Sequence, residues 1–256
     1  MNRFNQVLLG IVVVSGVLAW YTIFYKPSAV PQQHPPMLIV GTNAEYAPYV
    51  FMENGAVVGF DIDIIREIGH RIKKQIDIRN MPFTSLIPQV QTGAIHAIIG
   101  GIAATKEREA HVMFTRPYFV GDPFVMITRA SAPKVHHIDD LKGKEVVVNE
   151  GYTADLYVSQ IPGIMLQRLA TPAEAFLALQ SGRAFAYVTS QSSAAPFFDL
   201  YGTDEFAVAL IPGTEDSVAI GVSKAYPDIF DEIQNAIIAM LEDGTVKQLI
   251  EKWKLS

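Results

Sequence analysis

Residues 97–108 read AIIGGIAATKER. The apolar start Ala97-Ile98-Ile99 has the composition of a buried strand, read here as 97–100. Gly100-Gly101 then open the chain, and Thr105-Lys106-Glu107-Arg108 close it with a charged turn. Paired glycines have no Cβ to keep a ligand off the backbone. The N–H and C=O groups freed where the strand stops need partners, and a ligand can supply them. Arg108 stands seven residues beyond the second glycine. Its guanidinium grips a carboxylate with two parallel hydrogen bonds, which a lysine point charge does not. The stretch therefore reads as a small-anion site. On its own it also reads as an ordinary strand-to-helix loop with a surface arginine.

Upstream, residues 84–92 read as a helix, 75–80 as a strand, and 60–73 as a helix with Phe60, Ile64, Ile68 and Ile72 at helical spacing. Asp61 and Asp63 fall in the first turn of that helix, where its dipole favours acids, and are read as helix-start charges. Asn54-Gly55 is a strong hairpin dipeptide, so 50–59 should fold back on itself. Met37-Leu38-Ile39-Val40 is a first buried strand, ending at the loop GTNAEYAPY of residues 41–49. Alternation of strand and helix implies a parallel, right-handed α/β unit. Ligands of such sheets bind beyond the carboxyl ends of the strands. Tyr46, Phe83 and Gly101 then share one edge, with Glu45 placed to pair a ligand cation.

Downstream, residues 117–128 leave this first lobe. Glu145 to Val148 reads as a strand, and Gly151-Tyr152-Thr153 opens a helix with Thr153 as its cap. Thr171, Pro172 and Glu174 mark the start of a further helix. Residues 185–188 form a strand ending at Thr189-Ser190-Gln191. Residues 129–213 thus make a second lobe. Val218 to Val222 returns to the first, followed by a core-facing helix through Ile229, Ile233, Ile237 and Met240 that stops at Asp243-Gly244. The lobes are 37–128 plus 214–256, and 129–213. Two chain crossings form a hinge.

The chain has 256 residues, 50% apolar and 18% charged, enough for one large or two small domains. It has no cysteine, which excludes disulfides, thiol catalysis and thiolate metal sites. A formal charge of −6 without a basic stripe argues against nucleic acid. There is no nucleophile motif, P-loop or metal-spaced His/Asp cluster, so neither cofactor nor metal is expected. His70, His96 and His111 read as helix-surface or loop residues, and His136-His137 as solvated. Residues 7–24 are apolar and uncharged, with Arg3 before and Lys26 after. They read as a secretory signal within residues 1–26, with an uncleaved membrane anchor as the alternative. Either way the rest faces a compartment outside the cytoplasm. Without residues 1–26 it carries 18 basic and 26 acidic side chains, a net −8. Residues 27–36, PSAVPQQHPP, are a Pro-rich tether.

GTNAEYAPY, VVGFDIDI, SLIPQVQTG, AIIGG…TKER and FTRPYF follow one another in order and spacing. Together they resemble the periplasmic polar amino-acid-binding proteins of ABC importers, the cluster that includes lysine/arginine/ornithine, histidine and glutamine binders. The resemblance runs over most of residues 37–255. It implies a two-lobed, type II periplasmic-binding-protein α/β fold, each lobe a mostly parallel sheet flanked by helices. It implies a monomer that closes on its ligand and docks on membrane permease subunits. Arg108 would clamp the ligand α-carboxylate, with the Thr153 N–H and hydroxyl completing the grip. Gly101 would offer its carbonyl to the α-ammonium and Ala103 its N–H to the carboxylate. Tyr46 and Phe83 would sandwich the ligand side chain. Asn43 and Glu45 would read its head group, and Ser190 with Gln191 would lie at the ammonium.

Two departures from the family pattern stand out. Gly101 and Ala103 occur where the family commonly has serines. Ser190 occupies the position of an aspartate that neutralises the α-ammonium, and a buried cation without a carboxylate is costly. The aromatic pair and Glu45 favour arginine as ligand, ahead of lysine or ornithine, histidine and glutamine. Two other classes remain: an enzyme similar to the cyclohexadienyl dehydratases, which share the fold, and an anchored sensor module. No acid/base pair is evident near Thr153, which speaks against the enzyme.

Overall fold

A computed structural model describes residues 37–255 of the protein. The apolar run 7–24 and the Pro-rich stretch 27–36 lie outside the described residues. Among the described residues no helix is long and apolar enough to cross a membrane.

In chain order the first part comprises β1 (Met37–Thr42), β2 (Glu45–Tyr46), β3 (Val50–Glu53), β4 (Ala56–Val58), α1 (Phe60–Ile72), β5 (Gln75–Asn80), α2 (Phe83–Gln91), β6 (Ala97–Ile98), α3 (Lys106–Glu109), β7 (Val112–Phe114) and β8 (Phe119–Gly121). There follow β9 (Phe124–Arg129), β10 (Glu145–Asn149), α4 (Thr153–Val158), β11 (Met165–Leu169), α5 (Pro172–Gln180), β12 (Ala186–Ser190), α6 (Gln191–Tyr201) and β13 (Phe206–Leu210). The chain ends with β14 (Asp216–Val218), β15 (Gly221–Ser223), α7 (Pro227–Glu242) and α8 (Thr245–Trp253).

Two five-stranded sheets result, ordered β5-β1-β6-β15-β7 and β11-β10-β12-β9-β13. In each, the first three strands pair in parallel and the fourth, returning from elsewhere in the chain, runs antiparallel to both neighbours. Between the sheets the chain passes twice, as the antiparallel pair β8 and β14, with Val120 opposite Ser217. The expected lobe boundary after Thr128 is displaced by this pairing. β9 bonds to β12 and β13, so the second lobe begins just after β8 and ends just before β14. The apolar content of β9, with five of its six residues buried, belongs to the second core.

Inner strands such as β9 and β10 read as apolar runs because both faces are covered. In the second lobe Val146 and Val148 of β10 face one cluster, with Met126 and Val188, while Val147 faces the other, with Phe176 and Tyr187. In the first lobe Phe60, Ile64 and Ile68 of α1 lie in one cluster with Ile233 and Ile237 of α7. The hairpin turns at Asn54-Gly55, whose φ values of 50° and 79° are those of a type I′ turn. Thr171 caps α5 through a capping box with Glu174.

Candidate functional site

β6 is shorter than the strand expected over 97–100, because the chain already departs at Gly100. Gly101 is left-handed, with φ 62°, and a Cβ there would lie 2.1 Å from Tyr46 Cε1. Close contact of the Tyr46 ring with the glycine backbone therefore requires a glycine. Thr42 Oγ1 donates to the Ile99 carbonyl at 2.6 Å and ties the β1 loop to the glycine loop.

Beneath the loop lies Asp61, fully buried. Its carboxyl accepts the Gly101 N–H at 2.6 Å and the Tyr118 hydroxyl at 2.8 Å. Burial pushes it up to about 7, against hydrogen bonds from Gly101, Tyr118 and Gly100 that pull it down. Asp61 lies in the first turn of α1, as expected, but it is buried and bonded, not a solvated charge. It fastens the glycine loop to the segment entering the first crossing.

Thr105 caps α3 by accepting the Arg108 N–H, which sets the direction of the Arg108 side chain. That side chain is buried. Nη1 donates to the Ala103 carbonyl at 2.7 Å in its own lobe, and Nη2 to the Gly151 carbonyl at 2.9 Å in the other. The guanidinium carbon lies 5.5 Å from the centre of the Phe83 ring. Desolvation lowers its pKa, opposed by Asp216 and Glu107. Asp216 opens β14 and accepts the Thr153 hydroxyl at 2.6 Å. It is pushed up to about 6, chiefly by desolvation, with the Thr153 bond pulling it down. The expected Thr153 cap is corrected: Tyr152 holds the cap position, and Asp155 takes the Gly151 N–H at 3.0 Å.

Six of the sequence candidates line one interlobe cavity of about 20 Å³: Tyr46, Phe83, Gly101, Arg108, Thr153 and Ser190. This is room for about one water. Tyr152 accounts for its small size. The Tyr152 ring lies 4.5 Å from that of Phe83 and 6.0 Å from that of Tyr46, and its hydroxyl donates to Asn43 Oδ1 at 3.3 Å. The slot between Tyr46 and Phe83 thus holds a side chain of the second lobe. Asn43, held by its amide to the Met81 carbonyl, sits behind it. Ala103 presents its carbonyl to Arg108 and bridges to Val218. Glu45 and Gln191 are elsewhere. Glu45 is exposed and lines a separate pocket of about 350 Å³ with Glu150 of the other lobe. Gln191 is exposed beyond Ser190 and borders a cavity of about 240 Å³ with Tyr49 and Asp122. The same sequence reading missed Asp61, Asp122, Tyr152 and Asp216. His96 lies in the loop before β6, as expected, and is buried there, with its Nδ1 accepting the Ile39 N–H at 3.0 Å. Among the described residues no group of three or more His, Cys, Asp or Glu is placed to hold a metal ion.

Residues 38–256 match the family model of bacterial extracellular solute-binding proteins, family 3. The chain is 26% identical over 249 residues to the probable amino-acid-binding protein YxeM of Bacillus subtilis, covering 95% of this chain and 93% of that protein. It is 27% identical to the probable ABC transporter arginine-binding protein ArtJ of Chlamydia trachomatis, over 85% of this chain and 86% of the other. Among solved structures, a mutant of ArgBP from T. maritima superposes with a TM-score of 0.79 at 33% identity, covering 86% of this chain and 96% of that one. An ancestral arginine-binding protein bound to glutamine gives 0.80 at 31% identity, covering 86% and 98%.

Proposed function

The chain belongs to the bacterial extracellular solute-binding proteins of family 3, and on that premise we propose that it captures a polar or basic amino acid, arginine first, and delivers it to the membrane subunits of an ABC importer. The observation that carries this reading is the buried Arg108, whose two-pronged guanidinium faces both lobes. A ligand carboxylate takes over those donors as a charge-assisted pair, stronger than the bonds to two neutral carbonyls. Thr153 completes the grip from the second lobe, and Gly101 meets the α-ammonium. Tyr46 and Phe83 embrace the ligand side chain once Tyr152 swings aside. Asn43 lies behind that slot, and the adjoining pocket, which shares Asn43 and Phe83, is lined by Glu45 and Glu150, where a guanidinium or ammonium head would meet negative charge. Several relatives and neighbours are named for arginine, and one neighbour was solved with glutamine. The protein acts as a monomer and without catalysis.

One observation favours a second reading. Asp216, pushed up to about 6 and bonded to Thr153, is an acid/base candidate beside Arg108. A dehydratase would use such a group. Calorimetric titration of ligand-stripped protein with arginine, lysine, ornithine, histidine, glutamine and prephenate separates the two. Arginine binding with no product supports the importer component over the enzyme. Consumption of prephenate with no amino-acid binding replaces it with the enzyme.

A further inference from the structure

Ser190 closes β12 and is buried. Its hydroxyl oxygen lies 2.6 Å from that of Tyr46, which comes from the other lobe. The Tyr46 hydroxyl also donates to Asp122 Oδ2, at 2.9 Å. Asp122 is buried and accepts in addition the Ser192 N–H at 2.8 Å and the Ser192 hydroxyl. Three donors converge on its two oxygens, so both oxygens serve as acceptors.

The direction of this chain follows from proton counting. A phenol has one proton. Tyr46 gives it to Asp122, so the Ser190–Tyr46 contact is made by the Ser190 proton. Ser190 then has only lone pairs to show the cleft, and the ligand group that meets them must be a donor. Hydrogen bonds in series polarise one another in a medium of low dielectric, so the Asp122 charge is felt at Ser190 Oγ. Of the other buried acids nearby, Asp61 is taken up by the Gly101 N–H and the Tyr118 hydroxyl, and Asp216 by the Thr153 hydroxyl beside Arg108, at the carboxylate end.

We propose that Asp122 replaces the carboxylate missing at position 190, acting through Tyr46 to make the Ser190 hydroxyl a pure acceptor for the ligand α-ammonium. Asp122 is a positioning residue and Ser190 the contact. The proposal rests on the amino-acid reading for its ligand but not for its geometry, and the tests separate the two.

Neutron diffraction from deuterium-exchanged crystals reads the network without any ligand. The Ser190 deuteron should point to Tyr46 and the Tyr46 deuteron to Asp122. A Ser190 deuteron pointing into the cleft overturns the proposal, whatever the protein binds. Calorimetry with arginine and its desamino analogue, 5-guanidinopentanoate, tests the consequence. In Asp122→Asn the amide can donate to Tyr46 and reverse the relay. Arginine should then weaken by about tenfold or more, and the analogue by less than about threefold, the scale of one hydrogen bond to a charged group. Equal losses for both ligands mean that Asp122 only supports the fold, and overturn the role. Ser190→Asp in the Asp122→Asn background should restore arginine binding, and absence of rescue counts against the proposal. Should Asp122→Asn fail to fold, Ser190→Ala gives the same selective loss of arginine, and equal losses there overturn it. A parent protein that binds no amino acid at all removes the proposed function, while the deuteron positions still decide the relay.

Discussion

Arg108→Ala is the perturbation with the clearest expected magnitude. Arg108 makes two short bonds, to Ala103 O at 2.7 Å and to Gly151 O at 2.9 Å, from a buried position. A ligand carboxylate would exchange with these carbonyls. Each bond to a charged group is worth about 1.5–3 kcal/mol, so two bonds amount to roughly 3–6 kcal/mol. Part of this is already used in the self-contacts, which places the net loss at the lower end, roughly 10²–10³-fold in Kd. The fold should hold, because Thr105 caps α3 through the Arg108 backbone N–H and not its side chain. Stability should fall by roughly 1–3 kcal/mol, because two carbonyls lose their donor while a buried charge is relieved, a drop in Tm of about 2–12 °C. Arg108→Lys keeps the charge without the fork and should fall between the two. The assay is calorimetric titration of ligand-stripped protein with arginine, alongside a thermal melt. An alanine variant that binds within about threefold of the parent, well under the effect of one such bond, refutes the placement of Arg108 in the site. A lysine variant equal to the parent refutes the forked geometry.

Gly101→Ala forces a side chain into the left-handed region at φ 62° and its Cβ into the Tyr46 ring. Backbone strain alone should cost about 1–3 kcal/mol, and arginine binding should vanish with the displaced ring; an unchanged Tm would show that the loop yields freely. Tyr152→Ala clears the slot between Tyr46 and Phe83, so arginine should bind more tightly, by about tenfold if Tyr152 competes for the place. Weaker binding in that variant would make Tyr152 a ligand contact. Asp61 at about 7 and Asp216 at about 6 both lie above the ordinary 3.8. The folded state therefore binds these protons more tightly than the unfolded chain, and stability falls as pH rises from about 4 to about 7. Asp243, held down to about 2 by Thr245 and Arg71, acts in the opposite sense below that window. Melts at pH 5 and pH 8 should show the higher Tm at pH 5, and Asp61→Asn should flatten the difference. A parent more stable at pH 8 would contradict the burial of these carboxyls.

What the sequence made legible was what short range decides. The glycine pair, the hairpin at Asn54-Gly55 and the capping box at Thr171 are each determined within a few residues, and each appears where expected. The apolar stripe of α1 predicted its buried face. What stayed hidden depends on residues far apart in the chain. Asp61 and Asp63 are alike in sequence, yet one is sealed under Gly101 and the other bonds Lys252 and Trp253 at the surface. Asp122 meets Ser192 across 70 positions, and no local pattern announces that pair. β9 looked like the exit from the first lobe because its apolar run suits either core, and only pairing with β12 assigns it. α6 carries Pro196 within it and begins with small polar residues, which hid it as a helix. Tyr152 was passed over as part of a helix start, although an aromatic beside a glycine at a strand's carboxyl end is the signal that marked Tyr46.

The cleft residues already bond one another across the lobes, and this shapes what selectivity can mean here. Gly151 O holds Arg108, Asn43 holds Tyr152, and Tyr46 holds Ser190 and Asp122. A ligand exchanges these contacts for its own, and it shifts the lobes only by the difference in free energy between the two sets. At Arg108 the exchange favours a carboxylate over a neutral carbonyl, since charge-assisted bonds are about twice as strong. At the slot an aromatic ring must be displaced, which favours a flat or cationic side chain able to stack on Phe83. At Ser190, on the relay proposed above, only a donor would gain. A simple carboxylic acid wins the first exchange and gains nothing at the third, and an amine wins the third and loses the first. A molecule with both groups on one carbon and a planar cation beyond them wins all three. Competition with the protein's own contacts would therefore make such a site discriminate between whole ligands, where an open cleft would accept their parts.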